Sequence, residues 1–265
     1  MSAKPIALIT GAASGLGLDL ARQMAHSHYL ILVDVQQEAL QRHSAQFPEV
    51  ACFCCDLSST SAIEQLVNII KSHYERIDIL INNAGITHRS LAAQTSISVI
   101  QRVMEVDYFA PVQLTQGLLP LLLRSHYGAS VVNIGSMAGW MPVLGRAGYC
   151  AAKSALHQYF ETWRAELHKQ DIHILMVYPS FLDTPIAQNA LDGKGEKATH
   201  LRSMVGKMKS SAYMAGLIID ALKHKKSRLF SDVFTTISSL LYRLLPSLYL
   251  RLMRNRLAVE LEQHN

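Results

Sequence analysis

Six short apolar runs recur along the chain, each separated from the next by a longer helix-patterned stretch: "PIALIT" (5–10), "YLILVDV" (29–35), "VACFCCDL" (50–57), "IDILINNAG" (77–85), "ASVVNIGS" (129–136) and "DIHILMVYP" (171–179). Runs this short read as strands, and strands alternating with helices form a βαβ series. Right-handed crossovers then predict a single-domain α/β, doubly wound Rossmann fold, its mainly parallel sheet flanked by helices, with ligands beyond the carboxyl ends of the strands. Apolar residues make up 49% of the 265 residues and charged ones 17%, a balance suited to a sheet covered on both faces. No Gly/Ser linker or internal repeat divides the chain. The expected organisation is one domain over 1–232, with an irregular, turn-rich stretch about 183–211 ("ALDGKGEKATH" at 190–200), and an amphipathic helical extension over 233–265 that is not an independent domain.

The first run ends in "TGAASGLG", Thr10 to Gly17, from within which a helix begins. Gly11, Gly15 and Gly17 permit a tight turn and let a pyrophosphate approach the helix N-terminus, where free N–H groups favour an anion. Asp34 closes the second run, nineteen residues beyond Gly15. A carboxylate there accepts hydrogen bonds from a ribose diol and repels a 2′-phosphate, so NAD is favoured over NADP.

In "GYCAAKSAL" (148–156), Tyr149 and Lys153 stand four positions apart, on one face of a helix, so their polar ends reach a common point. Ser136 lies thirteen residues before Tyr149, at the end of the fifth run in "NIGSMAGW". In this order and spacing, "TGAASGLG", "NNAG" (82–85), Ser136 and the Tyr149/Lys153 pair resemble the short-chain dehydrogenase/reductase family over about 5–185. The resemblance implies an NAD(P)-dependent oxidoreductase acting on CH–OH donors. Tyr149 would be its acid/base, Ser136 would hold the substrate oxygen, and Lys153 would favour the phenolate while bonding the nicotinamide ribose. An ordinary phenol titrates near about 10, so service as a base at neutral pH requires roughly 4 kcal/mol of differential stabilisation, from a cation such as Lys⁺ or oxidised nicotinamide.

The same resemblance assigns Ser14 and Leu16 to the phosphate turn, Asp56 and Leu57 to adenine, Asn83, Ala84 and Gly85 to the ribose and sheet centre, and Pro179 and Thr184 of "VYPSFLDTP" to nicotinamide. Asn82 of "NNAG" reads equally as a tie between strands. Two positions depart from the pattern. Ser180 stands where a Gly commonly follows the Pro, and Asp107 of "MEVDYFAP" stands where the family has an Asn that holds a water beside the catalytic Lys. An ionised carboxylate only accepts hydrogen bonds. It either anchors that water or binds the ammonium directly, and the alternative function is a dinucleotide-binding regulatory or scaffold protein with catalysis impaired at Asp107.

Trp140, Met141, Val143 and Leu144 after the fifth run, and Phe181, Leu182 and Ile186 after the sixth, are candidate substrate contacts beside Ser136. Their apolar character suits an apolar alcohol or ketone, steroid-like or fatty-chain. A homodimer or homotetramer is the expected assembly. Lys223, Lys225, Lys226 and Arg228, clustered around His224, then Arg243, Arg251, Arg254 and Arg256, account for much of the excess behind a net charge of +5 with histidine neutral. Without an aromatic stacking motif this basic region gives no reason to expect nucleic acid as a partner.

Val233, Ile237, Leu240, Leu241, Leu244, Leu245 and Leu248 form an apolar stripe at helical spacing, interrupted by Arg243, Pro246 and Arg251 before it is long enough to span a bilayer. Peripheral contact with a membrane, packing on another subunit and packing on its own subunit all satisfy it. Cys52, Cys54 and Cys55 lack metal-ligand spacing, so no metal is expected, and they read as small buried hydrophobes. No secretory signal precedes the first run, which makes the cytoplasm the expected compartment, with membrane association left open.

Overall fold

The computed structural model describes residues 4–199 and 208–256. The six apolar runs form β1 (Ile6–Thr10), β2 (Tyr29–Asp34), β3 (Val50–Cys54), β4 (Ile79–Asn82), β5 (Ala129–Ile134) and β6 (Ile172–Tyr178). Between them run α1 (Gly15–Met24), α2 (Gln37–Ser44), α3 (Thr60–His73), α4 (Ile97–Met104), α5 (Ala110–Leu122) and α6 (Ala147–Glu166). Two short strands, β7 (Leu182–Asp183) and β8 (Lys209–Ser210), pair with each other outside the main sheet. They are followed by α7 (Ser211–Lys223), β9 (Arg228–Phe230), α8 (Val233–Leu244) and α9 (Pro246–Arg256).

The main sheet has seven parallel strands in the order β3-β2-β1-β4-β5-β6-β9. Strand periodicity sends alternate residues to opposite faces, and the core divides accordingly. Leu8, Ile31, Leu80, Val131 and Ile174 meet Leu66, Ile70, Leu118 and Phe160 of α3, α5 and α6 on one side. Ala7, Ile9, Leu32, Ile81 and Val177 meet Leu20, Met24, Leu40 and Ile218 of α1, α2 and α7 on the other. Both faces being covered, the strands read as unbroken apolar runs.

The seventh strand, β9, is an addition to the six expected. It has three residues and begins with Arg228 at the end of the basic cluster, so neither length nor composition marked it. Chain order reverses between β1 and β4, because β1 pairs with β2 on one side and β4 on the other. This is the switch point at which an open α/β sheet leaves a crevice. The cysteine expectation needs one correction. Cys55 is buried and Cys52 half-buried, but Cys54 is exposed, because it ends the edge strand β3.

Candidate active site

The turn from β1 into α1 shows why it is built of glycine. Gly11 and Gly15 have φ of +65° and +52°, conformations that side chains rarely adopt. A Cβ on Gly17 would lie 2.1 Å from the Gly11 carbonyl oxygen, so its bare Cα lets the helix close onto the strand end. Ser14 sits at the N-cap of α1 without using its side chain to cap the helix, which leaves first-turn N–H groups facing the crevice.

A cavity of about 410 Å³ opens there, along the carboxyl edge of the sheet. Its wall includes Gly11, Ser14, Gly15, Leu16, Asp34, Asp56, Leu57, Asn83, Ala84, Gly85, Pro179 and Thr184, with Ser136 and Tyr149 at the far end. Two expected cofactor contacts, Gly17 and Lys153, are not part of that wall. Gly17 packs against the strand end and Lys153 is buried behind the surface.

Asp34 is held rigidly. One carboxylate oxygen accepts the Ala13 N–H at 2.9 Å and the other the Gln36 N–H at 2.9 Å. Each oxygen keeps a second lone pair for a ligand hydroxyl. Asp56 accepts both the hydroxyl and the N–H of Ser58, and these bonds hold its carboxyl below the ordinary range. Asn83 donates to the carbonyls of Thr10 and Gly11, fastening β4 to the phosphate turn. Asn82 donates to Asn133 and Thr115, so it ties β4 to β5 and α5 and takes no part in the cavity wall.

Tyr149 lies in the first turn of α6, with Lys153 one turn on. One buried contact holds the start of that helix. His88, completely buried, accepts the Gly148 N–H at Nε2 (3.0 Å), which leaves Nδ1 to donate to Ser90. Burial, helped by the Arg146 charge, pushes the His88 imidazole down to about 4, so it is neutral in the folded protein. The sequence offered no sign of this role: His88 lies in "ITHRS" with no matching partner nearby in sequence.

Asp107 meets Lys153 directly. Residues Glu105–Phe109 form a π-helical turn between α4 and α5, and the Asp107 carboxyl within it has no exposure. One oxygen accepts the Ile86 N–H at 2.8 Å and the other lies 3.2 Å from Lys153 Nζ. Lys153 also donates to the Ile134 carbonyl at 3.1 Å, and its Nζ is 5.8 Å from the centre of the Tyr149 ring. Burial acts to lower the Lys153 pKa, but the charge of the Asp107 carboxylate, the charge of Tyr149 and the hydrogen bond to Asp107 together outweigh it and hold the ammonium protonated above its ordinary range. Burial likewise raises Asp107, against the pull of that ammonium and the Ile86 N–H.

Beyond Tyr149 lies a second cavity, about 340 Å³, whose wall is predominantly apolar. Of the expected substrate contacts it takes Ser136, Met141, Val143, Leu144 and Phe181. Leu182 and Ile186 line the nucleotide cavity instead. Trp140 is turned away into an aromatic cluster with His157, Tyr178 and Phe230, with the Arg243 guanidinium 4.2 Å above its ring. The remaining wall comes from the C-terminal segment, including Phe234, Ile237 and Leu241 of α8 and Tyr249, Leu252 and Met253 of α9. Tyr249 donates to the Pro142 carbonyl at 3.0 Å, latching α9 to the loop after β5. The stripe in the sequence signalled a helical extension but not that it roofs this cavity. No helix among the described residues is long and apolar enough to cross a membrane.

A parallel sheet with a Gly-rich turn and a cavity at its switch point defines a Rossmann-type dinucleotide-binding protein. The profile of the short chain dehydrogenase family matches residues 5–195, and the chain belongs to this oxidoreductase family, the short-chain dehydrogenases/reductases. Dehydrogenase/reductase SDR family member 7B of Bos taurus is 34% identical over 263 residues, covering 95% of this chain and 81% of that protein. Dehydrogenase/reductase SDR family protein 7-like of Drosophila melanogaster is 32% identical, covering 97% and 81%. Among solved structures, a short-chain dehydrogenase from Streptomyces avermitilis superposes with a TM-score of 0.77 at 26% identity, over 95% of this chain and 96% of that one. An SDR from Burkholderia phymatum in complex with NAD (TM-score 0.79, 22% identity, 92% and 95% coverage) and one from Sphingobium yanoikuyae in complex with NADPH (0.76, 24%, 89% and 92%) share the fold.

Proposed function

We propose that the protein is an NAD(H)-dependent oxidoreductase that interconverts an apolar secondary alcohol, steroid-like or fatty-chain, and its ketone, with Tyr149 as the acid/base. The observation that carries this reading is that Ser136 and Tyr149 line both cavities, at the seam where the polar one meets the apolar one. The glycine cradle at the α1 N-terminus fits a pyrophosphate, and the fixed Asp34 carboxylate fits a ribose diol. NAD bound there supplies the acceptor for the hydride that leaves the carbinol carbon.

The residues divide the rest of the work. Tyr149 takes the hydroxyl proton as the carbonyl forms, and returns it to the oxygen in the reverse direction. Ser136 Oγ accepts the Ala138 N–H at 3.1 Å, which leaves its own hydrogen to donate to the substrate oxygen. Lys153, behind the wall, acts on Tyr149 through its charge. The apolar wall of the second cavity excludes water and favours a substrate with a hydrocarbon body.

Asp107 supports a second reading. A carboxylate paired directly to Lys153 damps the charge that favours phenolate, which suits a dinucleotide-binding regulatory or scaffold protein. Nucleotide binding does not separate the two readings. A panel of hydroxysteroids, long-chain alcohols and hydroxyacyl compounds with NAD⁺ does. NADH formation that Tyr149→Phe abolishes upholds the oxidoreductase. A rate no higher than that variant's background across the panel assigns the regulatory role.

A further inference from the structure

The α8–α9 hairpin has two apolar sides and only one of them is used. Its inner side roofs the substrate cavity. On its outer side Val233 and Leu244 are 73% and 76% exposed, and Ile237, Leu240, Leu245 and Leu248 are exposed as well. Scattered single apolar residues need no explanation, but a contiguous set on one short hairpin does. Phe234, Ile237 and Leu252 belong to both descriptions: each lines the cavity and each is exposed. The cavity therefore opens on the apolar surface, through the hairpin.

Charge identifies what covers this surface. From Val233 to Arg256 the sequence has four arginines (243, 251, 254 and 256) and no aspartate or glutamate, and all four arginines are exposed. Exposed Lys223, Lys225 and Arg228 precede the hairpin on the chain. A second copy meeting this face symmetrically would set arginines against arginines, with no carboxylate on the hairpin to pair them. Anionic headgroups complement them, while the acyl region takes the leucines. At twelve residues α8 is about 18 Å long, short of the roughly 30 Å of a hydrocarbon core, so the geometry is that of a helix pair lying in the interface.

We infer that the α8–α9 hairpin docks on an anionic bilayer and that the substrate cavity opens into it, so that the substrate is drawn from lipid instead of water. Docking stands on the hairpin alone; the route of the substrate rests on the oxidoreductase reading.

The test is flotation of the full chain with phosphatidylcholine vesicles, with and without phosphatidylserine, beside L244E/L248E. Neither leucine lines the cavity. Binding to the serine-lipid vesicles is expected to exceed binding to neutral ones by about tenfold or more, to weaken in high salt, and to fall by about tenfold or more in the double variant. Thermal unfolding and nucleotide binding of the variant should match wild type. Activity on a short water-soluble alcohol should also match, while activity on a long-chain alcohol supplied in vesicles falls. Failure to float with either vesicle overturns docking. So does a wild-type dimer that the double variant splits, because the face is then an interface between copies. Flotation is read without cofactor or substrate, so a chain that floats but reduces no NAD⁺ upholds docking and removes the oxidoreductase reading alone.

Discussion

Asp107→Asn separates the charge of Asp107 from its shape. The amide is nearly isosteric, and its oxygen can still accept the Ile86 N–H that Asp107 accepts at 2.8 Å. What disappears is one negative charge 3.2 Å from Lys153 Nζ. With Nζ 5.8 Å from the Tyr149 ring centre, an ammonium acting alone would favour phenolate by about 3 kcal/mol at an effective dielectric of about 20. Those two contacts place the carboxylate no more than about 9 Å from the ring, where it opposes that effect by about 2 kcal/mol or more on the same scale. Removing it is therefore worth about one pH unit or somewhat more.

The sign follows from the charge. Less negative potential favours phenolate, so the ascending limb of kcat/KM for alcohol oxidation should move to lower pH by about one unit. Without that carboxylate, Lys153 loses the largest of the interactions that oppose the effect of burial. Its deprotonation, and with it any alkaline limb that reports the ammonium, should also move down. Steady-state oxidation with NAD⁺ across the pH range measures both limbs. Thermal unfolding runs in parallel, because an unpaired buried charge can cost about 3–5 kcal/mol. A folded variant with both limbs unmoved would refute the reasoning, since the carboxylate would then exert no field on the phenol.

Four other outcomes are expected. NAD(H) should bind at least about tenfold tighter than NADP(H), a gap of roughly 1.4 kcal/mol, and calorimetric titration showing equal affinity would remove Asp34 from that role. Tyr149→Phe should lose turnover by about 10²-fold or more while its NAD dissociation constant stays near wild type; Lys153→Ala, assayed in the same way, should lower the rate as well. Because His88 is pushed down to about 4 from an ordinary 6.5, the unfolded chain takes up its proton first as pH falls. Denaturant titrations should therefore show stability full above 6.5 and declining between 6.5 and about 4, by at most about 1.4 kcal/mol per pH unit, with the decline reduced in His88→Gln. Truncation after Asp232 should spare nucleotide binding but lower kcat/KM for bulky apolar alcohols by about tenfold or more, since it strips Phe234, Leu241 and Met253 from the cavity wall, side chains worth about 1.5–3 kcal/mol each when fully buried.

What could be read from the sequence was what depends on local pattern. A parallel strand buried on both faces has to be apolar throughout, so β1 to β6 showed themselves, whereas β9 joins the sheet with three residues beginning at Arg228 and rests on β6 for its pairing. The glycine turn was legible because backbone geometry there restricts the residue type. Partners distant in sequence were not legible from pattern. The contact of His88 with the start of α6 joins positions 60 residues apart and gave no sign, whereas Asp107 beside Lys153, 46 residues away, was expected through the family resemblance alone, which left open whether it held a water or the ammonium. Trp140 looked like a pocket residue because it follows Ser136 closely, yet the 3₁₀ turn Met137–Gly139 delivers it to the aromatic cluster around Tyr178. The tail shows the same limit in its sharpest form. Pro246 marks where α8 gives way to α9, but no periodicity tells which apolar side turns inward when both sides are apolar. That choice is made by the cavity the rest of the fold leaves open and by the latch from Tyr249 to Pro142. If the proposed reading holds, a helix pair with one apolar side on the cavity and one exposed makes the access route to the site a property of the segment beyond the family's matched region, 5–195. On that reading specificity turns on the extension, while the proposed chemistry turns on Tyr149 and Lys153 of α6.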